Sequence, residues 1–361
     1  MNVREQIFQR FFPNAALTEC IPYGAGHIND TFLVTTTEGT RYILQRINHH
    51  IFRDVDGLMN NIVGVTEFIA KKKIALGKDP ASAMRVIPTI DEKNYTLFEG
   101  NYYRLYNFID KAVSINTVAT PHQFYLSGIG FGQYPKYLDG YPAESLTESI
   151  PLFHNTRSRF ENLRKAVNED KVGRAKSVQK EIDFFFARES YADRILKLLE
   201  EKKIPLRVTH NDTKLNNVLI DLESDQPVAV IDLDTVMPGS ILYDFGDSIR
   251  SGANTGEEDE RDLSKVSFSL ELFRSFATGF LGEVKDRLTE TEKEQMAFGA
   301  ILMTFECGMR FLTDHLEGDV YFKIHRENHN LDRARTQIKM VADMEKCLDD
   351  MNAIVYEVCN K

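Results

Sequence analysis

The sequence lacks any run approaching the ~20 consecutive apolar residues of a membrane-spanning helix. It also lacks internal repeats and any low-complexity linker. A helical membrane protein and a repeat array are therefore not expected. Cysteine is scarce: Cys20, Cys307, Cys347 and Cys359 are scattered, without the paired spacing of a metal site, and read as reduced thiols. Basic residues are outnumbered, 44 Lys and Arg against 54 Asp and Glu, and a net charge of −10 gives no reason to expect nucleic-acid or anionic-membrane partners. The opening residues MNVREQIFQRFF carry charges throughout and have no apolar core of a signal peptide, so the cytoplasm is the expected location. What remains is an ordinary globular composition, 42% hydrophobic and 27% charged. Over 361 residues this predicts two domains or lobes, each with its own core.

The informative stretch is Val208 to Arg250. His210, Asp212, Lys214 and Asn217 fall in one short loop. Two apolar runs follow, VLI at 218–220 and VAVI at 228–231, separated by the turn-rich ESDQP, and predict a β-hairpin that closes on Asp232. A carboxylate, an ammonium and an amide in one loop, followed by an acid at a strand end, suit phosphoryl transfer. The attacking hydroxyl needs an acceptor for its proton, and a metal bridging the phosphates needs oxygen ligands. The order His-x-Asp-x-Lys-x-x-Asn matches a kinase catalytic loop. Asp212 is then the base, Lys214 a γ-phosphate contact, and Asn217 and Asp232 the Mg²⁺ ligands, while His210 holds the loop.

Asp244-Phe245-Gly246 spells the protein-kinase metal motif literally, but 32 residues after Asp212. Asp232 follows Asp212 by 20 and ends an apolar run, as a metal-binding strand end should, so the metal is assigned to Asp232. Asp244 and Asp247 are expected to cap a helix or to support the loop.

His-x-Asp-x(4)-Asn followed by IDLD resembles the aminoglycoside phosphotransferase and choline kinase group. The longer strings HNDTKLNN, IDLDTVMPG, DFGDSIRSGAN and RFLTDHLEGDVY resemble one branch of it, the N-acetylhexosamine 1-kinases. The resemblance runs from about Gly24 to about Tyr321. It implies a protein-kinase-like bilobal α+β fold, with a small antiparallel-sheet N-lobe (1–109) and a larger, mainly helical C-lobe (110–361). It also implies ATP and Mg²⁺ as cofactors, and transfer to the anomeric hydroxyl of N-acetylglucosamine or N-acetylgalactosamine.

Residues 3–12 predict a helix with Ile7, Phe8, Phe11 and Phe12 as its packing face. Strands are expected at about 31–36 and 41–47, and at RVIPTI, YTLF and YYRLYNFI, making five in all. Gly24-Ala25-Gly26-His27-Ile28-Asn29-Asp30 stands where a nucleotide-covering loop would stand, with Gly24 and Gly26 admitting phosphates to the backbone. His27 and Asn29 are candidates to face the sugar as well as ATP. Arg46 takes the place of the strand-three lysine, with Glu67 on the following helix as its partner. Phe108 lies in the hinge, beside backbone groups that would bind adenine.

Helices are expected at about 121–134, 156–168, 174–188, 190–202, 263–281, 289–317 and 330–357. The resemblance makes Asn155, in Phe153-His154-Asn155, a candidate sugar contact. Arg310 lies near the end of an otherwise apolar helix, so it is either paired with an acid such as Asp247 or aimed at a ligand. The resemblance assigns Arg310 and Tyr321 to sugar recognition. Two rivals stand beside this reading. One is a kinase of another small alcohol (choline, homoserine or an aminoglycoside), which would need acids or an aromatic cage around a cationic acceptor. The other is a non-catalytic nucleotide-binding regulator, against which the intact Asp212, Asn217 and Asp232 argue.

Overall fold

The computed structural model describes residues 3–24, 28–79 and 82–361. In chain order the elements are α1 (Val3–Phe8), β1 (Leu17–Pro22), β2 (Asp30–Thr36), β3 (Arg41–Ile47), α2 (Val55–Ala75), β4 (Val86–Ile87), β5 (Thr96–Phe98), β6 (Asn101–Asn107) and β7 (Ala112–Ser114). Then come α3 (Pro121–Tyr137), α4 (Thr156–Glu169), α5 (Gln179–Phe186), α6 (Tyr191–Glu200), β8 (Arg207–Thr209), β9 (Val218–Asp221), β10 (Pro227–Val230) and β11 (Met237–Gly239). The chain ends in α7 (Ile241–Gly252), α8 (Leu270–Val284), α9 (Glu290–Glu317), α10 (His329–Lys346) and α11 (Leu348–Asn360). The class is α+β. The chain divides into two units, not by one cut near residue 109: the first is Met1–Val113, Tyr137–Pro151 and Leu219–Pro238, the second Ser114–Lys136, Leu152–Val218 and Gly239–Lys361.

The first unit holds an antiparallel sheet ordered β1-β2-β3-β6-β4, with β5 also paired to β6. It has six strands where the sequence predicts five. The addition, β1, is an edge strand that buries none of its residues and ends in proline, so it carries neither a core-facing alternation nor a clean terminus. One sheet face is covered by α1: Ile7, Phe8 and Phe11 are buried against Val34, Leu44 and Leu105, with Phe12 packed alongside. The other face looks toward α2, whose Met59 sulfur touches Arg104 of β6.

Lys73, in the last turn of α2, is 4% exposed. It donates to the carbonyls of Ser82 (3.1 Å) and Val228 (2.7 Å) and to the Ser82 hydroxyl (3.1 Å). Burial pulls its pKa from 10.5 to about 8, with Lys78 reinforcing the drop and Asp79 opposing it. Keeping such a lysine charged destabilises the fold below about pH 8, and that cost is relieved as pH rises from 8 toward 10.5. This group is expected to add on the order of 3 kcal/mol of stability across that window. Urea melts on both sides of pH 8 check it: Lys73→Met should lack the rise, and an unchanged slope in the variant would assign it elsewhere.

The second unit is mainly helical, with α9 as its central element, packed by α4, α7, α10 and α11. By length and composition α9 alone among the described helices is long and apolar enough to cross a membrane, yet 83% of its apolar window is buried inside the protein. A Thr289–Glu292 capping box fixes its start, and Gly318, at φ 100°, ends it. Helix α7 crosses α9 without intervening side chains: a Cβ on Gly246 would come within 2.3 Å of the Gly299 carbonyl, and one on Gly299 within 2.7 Å of the Leu242 carbonyl. Phe245, next to that crossing, is fully buried against Phe273, Phe276 and Phe280.

Candidate active site

The catalytic-loop sequence leaves β8 and turns through Asn211, whose φ of 63° is the left-handed conformation that Asn tolerates better than most residues. What holds it there is α7. The buried Asp244 carboxylate accepts the backbone N–H groups of His210 and Asn211, each at 2.8 Å. Asp247 accepts that of Thr213 at 3.0 Å. The Asp244 carbonyl receives the Thr213 hydroxyl at 2.7 Å, and the Ser248 hydroxyl donates to the Thr213 carbonyl at 2.9 Å. Ser240, not either aspartate, caps α7. All three residues of Asp244-Phe245-Gly246 thus have structural work: loop support, core and helix crossing. Burial raises the pKa of Asp244, against the opposing pull of His210 and its hydrogen bonds. Burial would raise Asp247 too, but Arg250, paired with it at 2.8 Å, and Lys214 bring it below the usual carboxylate range. His210 is fully buried, set edge-on to Phe131 and Tyr134, and its Nδ1 accepts the Asp212 N–H at 3.2 Å. It shapes the loop.

Asp212 itself is partly exposed, with the Lys214 ammonium 2.8 Å from Oδ1. Asp212 raises the pKa of Lys214, keeping the ammonium charged. Asn217 donates its amide N–H to the Asp212 carbonyl at 2.8 Å. Its amide oxygen is thereby turned away from that bond and is a hard donor suited to Mg²⁺ or Ca²⁺.

The same unit gathers a second set of polar groups around α9. Buried Glu306 receives Nδ1–H of His154 (2.8 Å) and the Thr156 hydroxyl (2.5 Å). Burial favours its neutral form, but His154, Thr156 and Arg310 together hold its pKa down. A carboxylate only accepts, so the His154 proton sits on Nδ1, and its buried Nε2 has no partner. One turn beyond Glu306, Arg310 makes no ion pair among the described residues. The Asp247 partner considered for it is taken by Arg250. Instead its guanidinium lies 5.4–5.9 Å from the rings of Phe153, Tyr321 and Phe322. Arg159 donates to the Phe153 carbonyl at 3.0 Å, while its buried Nε is unpartnered. Burial, then the charge of Arg310, push its pKa down. Tyr321 is held in place by Asp314, which accepts the N–H groups of Val320, Tyr321 and Phe322 at 2.7–2.9 Å. Asn155 is a correction: its side chain caps α4 by accepting the Ser158 N–H at 2.9 Å, so its oxygen is committed to the helix.

In the first unit Asp232 follows β10 at φ 61°, left-handed for a non-glycine and worth roughly 1–2 kcal/mol of strain. Two residues on, buried Asp234 pairs with Arg104 (2.5 Å) and accepts the amide of Asn29. Arg104 is 1% exposed, and its Nε and Nη2 both donate to Gln45, at 3.0 and 2.8 Å.

The nucleotide-side candidates of the first unit take the following places. Arg46 shares the α1-facing side of β3 with Tyr42 and Leu44, and its guanidinium is spent on exposed Asp30 (2.5 Å) and Asn101 (3.3 Å). A one-residue step puts Gln45 and Arg104 on the α2 face instead. Glu67 is exposed on α2 and approaches Lys71, not Arg46. Asn29 is engaged at both ends of its amide, since its oxygen accepts the Asn48 N–H at 2.9 Å. Phe108 is covered by Arg41 at 4.2 Å and by the edge of Tyr23. Gly24 has φ 78°, while Gly26 and His27 lie outside the described residues.

Arg104, Asp234, Glu306, His154, Arg159 and Asp314 were not singled out from sequence as site residues. Only Asp234 carried a local signal, as the second acid of IDLD.

Among solved structures the fold is similar to an aminoglycoside phosphotransferase from Alicyclobacillus acidocaldarius, with TM-score 0.61, 12% identity, and 95% of this chain and 93% of that one covered. It is also similar to an ethanolamine kinase from Plasmodium vivax (TM-score 0.56, 16% identity, 91% and 83% covered) and to amicoumacin kinase in complex with AMP-PNP, Ca²⁺ and its substrate (TM-score 0.58, 12% identity, 91% and 88% covered). Residues 19–268 match the phosphotransferase enzyme family. With well over half of its length in that match, the chain belongs to the phosphotransferase enzyme family and is a kinase.

Proposed function

We infer that this kinase transfers the γ-phosphoryl group of ATP to the anomeric C1 hydroxyl of an N-acetylhexosamine. One observation carries the choice of acceptor: the polar cluster around α9 presents two guanidinium groups, Arg159 of α4 and Arg310 of α9, without free carboxylates among the described residues to balance them. Glu306, the acid in their midst, is already bound by His154 and Thr156. A cationic acceptor such as an amino alcohol or an aminoglycoside would be repelled there, whereas a neutral sugar offers carbonyl and hydroxyl oxygens to the guanidinium forks and a hydroxyl O–H to the His154 Nε2. The rings of Phe153, Tyr321 and Phe322 suit a sugar face.

In this reading Asp212 orients the C1 hydroxyl and takes its proton, and Lys214 contacts the γ-phosphate. An anomeric hydroxyl is more acidic than an ordinary alcohol, so modest base assistance is enough and positioning lowers most of the barrier. Asn217 and Asp232 are the oxygen donors for the metal, which when bound neutralises the phosphate oxygens. The amicoumacin kinase complex, with its nucleotide analogue and divalent cation, supports that cofactor pair.

Removing the Arg310 side chain is expected to raise the sugar KM at least tenfold and to lower kcat, with the KM for ATP little changed. A merely structural arginine would instead lower the melting temperature and affect both substrates alike. Independently, a phosphorus–carbon coupling in the product NMR spectrum should place phosphate on C1. Phosphate on C6, or transfer only to amino alcohols, would leave the kinase and remove the sugar 1-kinase.

A further inference from the structure

We propose that Arg104, Asp234 and Asn29 form a positioning device for Asp232, and that Asp234 is itself no metal ligand. The inference rests on the metal role given above to Asp232. Aspartate tolerates the left-handed region better than most residues, but the turn that places it there still has to be held. The chain just after Asp232 is pinned four times within the first unit. The Asp234 side chain is held from one side by Arg104 and from the other by Asn29. Its carbonyl accepts the Ser149 hydroxyl at 3.3 Å. The Val236 carbonyl accepts the Asn61 amide at 3.0 Å, and Asn61 is in turn fixed by two bonds to the Thr147 backbone.

The network is directional. Gln45 holds Arg104 by two of its nitrogens, and the third, beside the Met59 sulfur, faces Asp234. One Asp234 oxygen is ion-paired with that cation without accepting a hydrogen bond, and the other accepts the Asn29 amide, so both oxygens face partners of the first unit. Asn29 stands immediately before β2, and its oxygen is tied to the Asn48 N–H just beyond β3. The same three residues therefore link the start of β2 to the turn that carries Asp232. A shift of either end is transmitted to the other through bonds between buried or half-buried groups in a low-dielectric setting. Outer partners of this kind commonly set metal affinity by one to two orders of magnitude.

The test uses Arg104→Met, the double variant Arg104→Met/Asp234→Leu, and Asn29→Ala, with Asp232→Ala as the reference. Binding of ADP is measured by calorimetry with and without Mg²⁺, alongside melting temperature and the acceptor KM. Asp232→Ala should abolish the Mg²⁺-dependent gain in ADP affinity. If it does not, the metal role of Asp232 fails first, and this proposal with it. Arg104→Met strands a buried carboxylate, and the double variant stands in for it if it does not fold, since that variant swaps the ion pair for apolar groups of similar size. The double variant is expected to melt near the parent yet lose about tenfold of the Mg²⁺-dependent ADP affinity, with the acceptor KM unchanged. Asn29→Ala should lose affinity in the same direction by a smaller factor. Parent-like MgADP binding in both the double variant and Asn29→Ala would make the network purely structural. Tighter Mg²⁺ binding in Arg104→Met would show that Asp234 is a metal ligand restrained by its counterion. Either result overturns the proposal.

Discussion

Asp212→Asn is expected to lower turnover at least a hundredfold while leaving the fold and ATP binding nearly intact. The change is isosteric, and the main contacts that shape the loop use the Asp212 backbone: Asn217 binds the Asp212 carbonyl at 2.8 Å and the carboxylate only at 3.4 Å, and the Asp212 N–H goes to His210. What disappears is an acceptor for the hydroxyl proton and the partner of Lys214. Steady-state kinetics with nucleotide calorimetry on the same preparation check this. Activity within a few-fold of the parent would remove Asp212 from the base role.

The second large effect is expected at Asp244. Asp244→Ala leaves the N–H groups of His210 and Asn211 buried without acceptors, each a loss of about 1–3 kcal/mol, so the unit should lose roughly 3 kcal/mol or more. Turnover should fall with the loop, because two consecutive backbone N–H groups at the left-handed turn of Asn211 rest on this one carboxylate. Mg²⁺-dependent nucleotide binding should not be lost directly, whereas Asp232→Ala should destroy it. Calorimetry with MgATP that showed the loss only in Asp244→Ala would reverse the two assignments, and an unaltered melting temperature would remove Asp244 from its supporting role.

The literal kinase motif was a useful test of spacing against spelling. The loop from His210 to Asn217 was legible because its residues are contiguous and local geometry alone gathers them. The supporting role of Asp244 and Asp247 was legible too, though as loop support and not as a cap. Arg104 was not. It sits in a strand that otherwise reads as core, and its reason for burial, Asp234, is 130 residues away. The Arg46 expectation failed on the period of a strand, since adjacent residues face opposite sides and the sequence does not say which side meets α2. The long helix expected at 330–357 is two, α10 and α11, broken at Cys347 with neither glycine nor proline to mark it. Asp349 and Asp350 in the first turn of α11 were the available signal. Glu306 and His154 are 152 residues apart, and no local pattern links them.

The crossing of α7 and α9 has a consequence for redesign. With carbonyl and glycine in direct apposition at Gly246 and Gly299, neither helix has room to slide or rotate on the other. On the acceptor reading proposed above, the spacing between the loop supports on α7 and Arg310 on α9 is thus a fixed gauge, set by backbone thickness. A larger or smaller acceptor has to be accommodated by exchanging side chains at the rim, such as Phe153 and Tyr321, or by reshaping the turn that Asp314 holds. A library for new acceptor specificity should therefore spare Gly246 and Gly299 and spend its diversity on that rim.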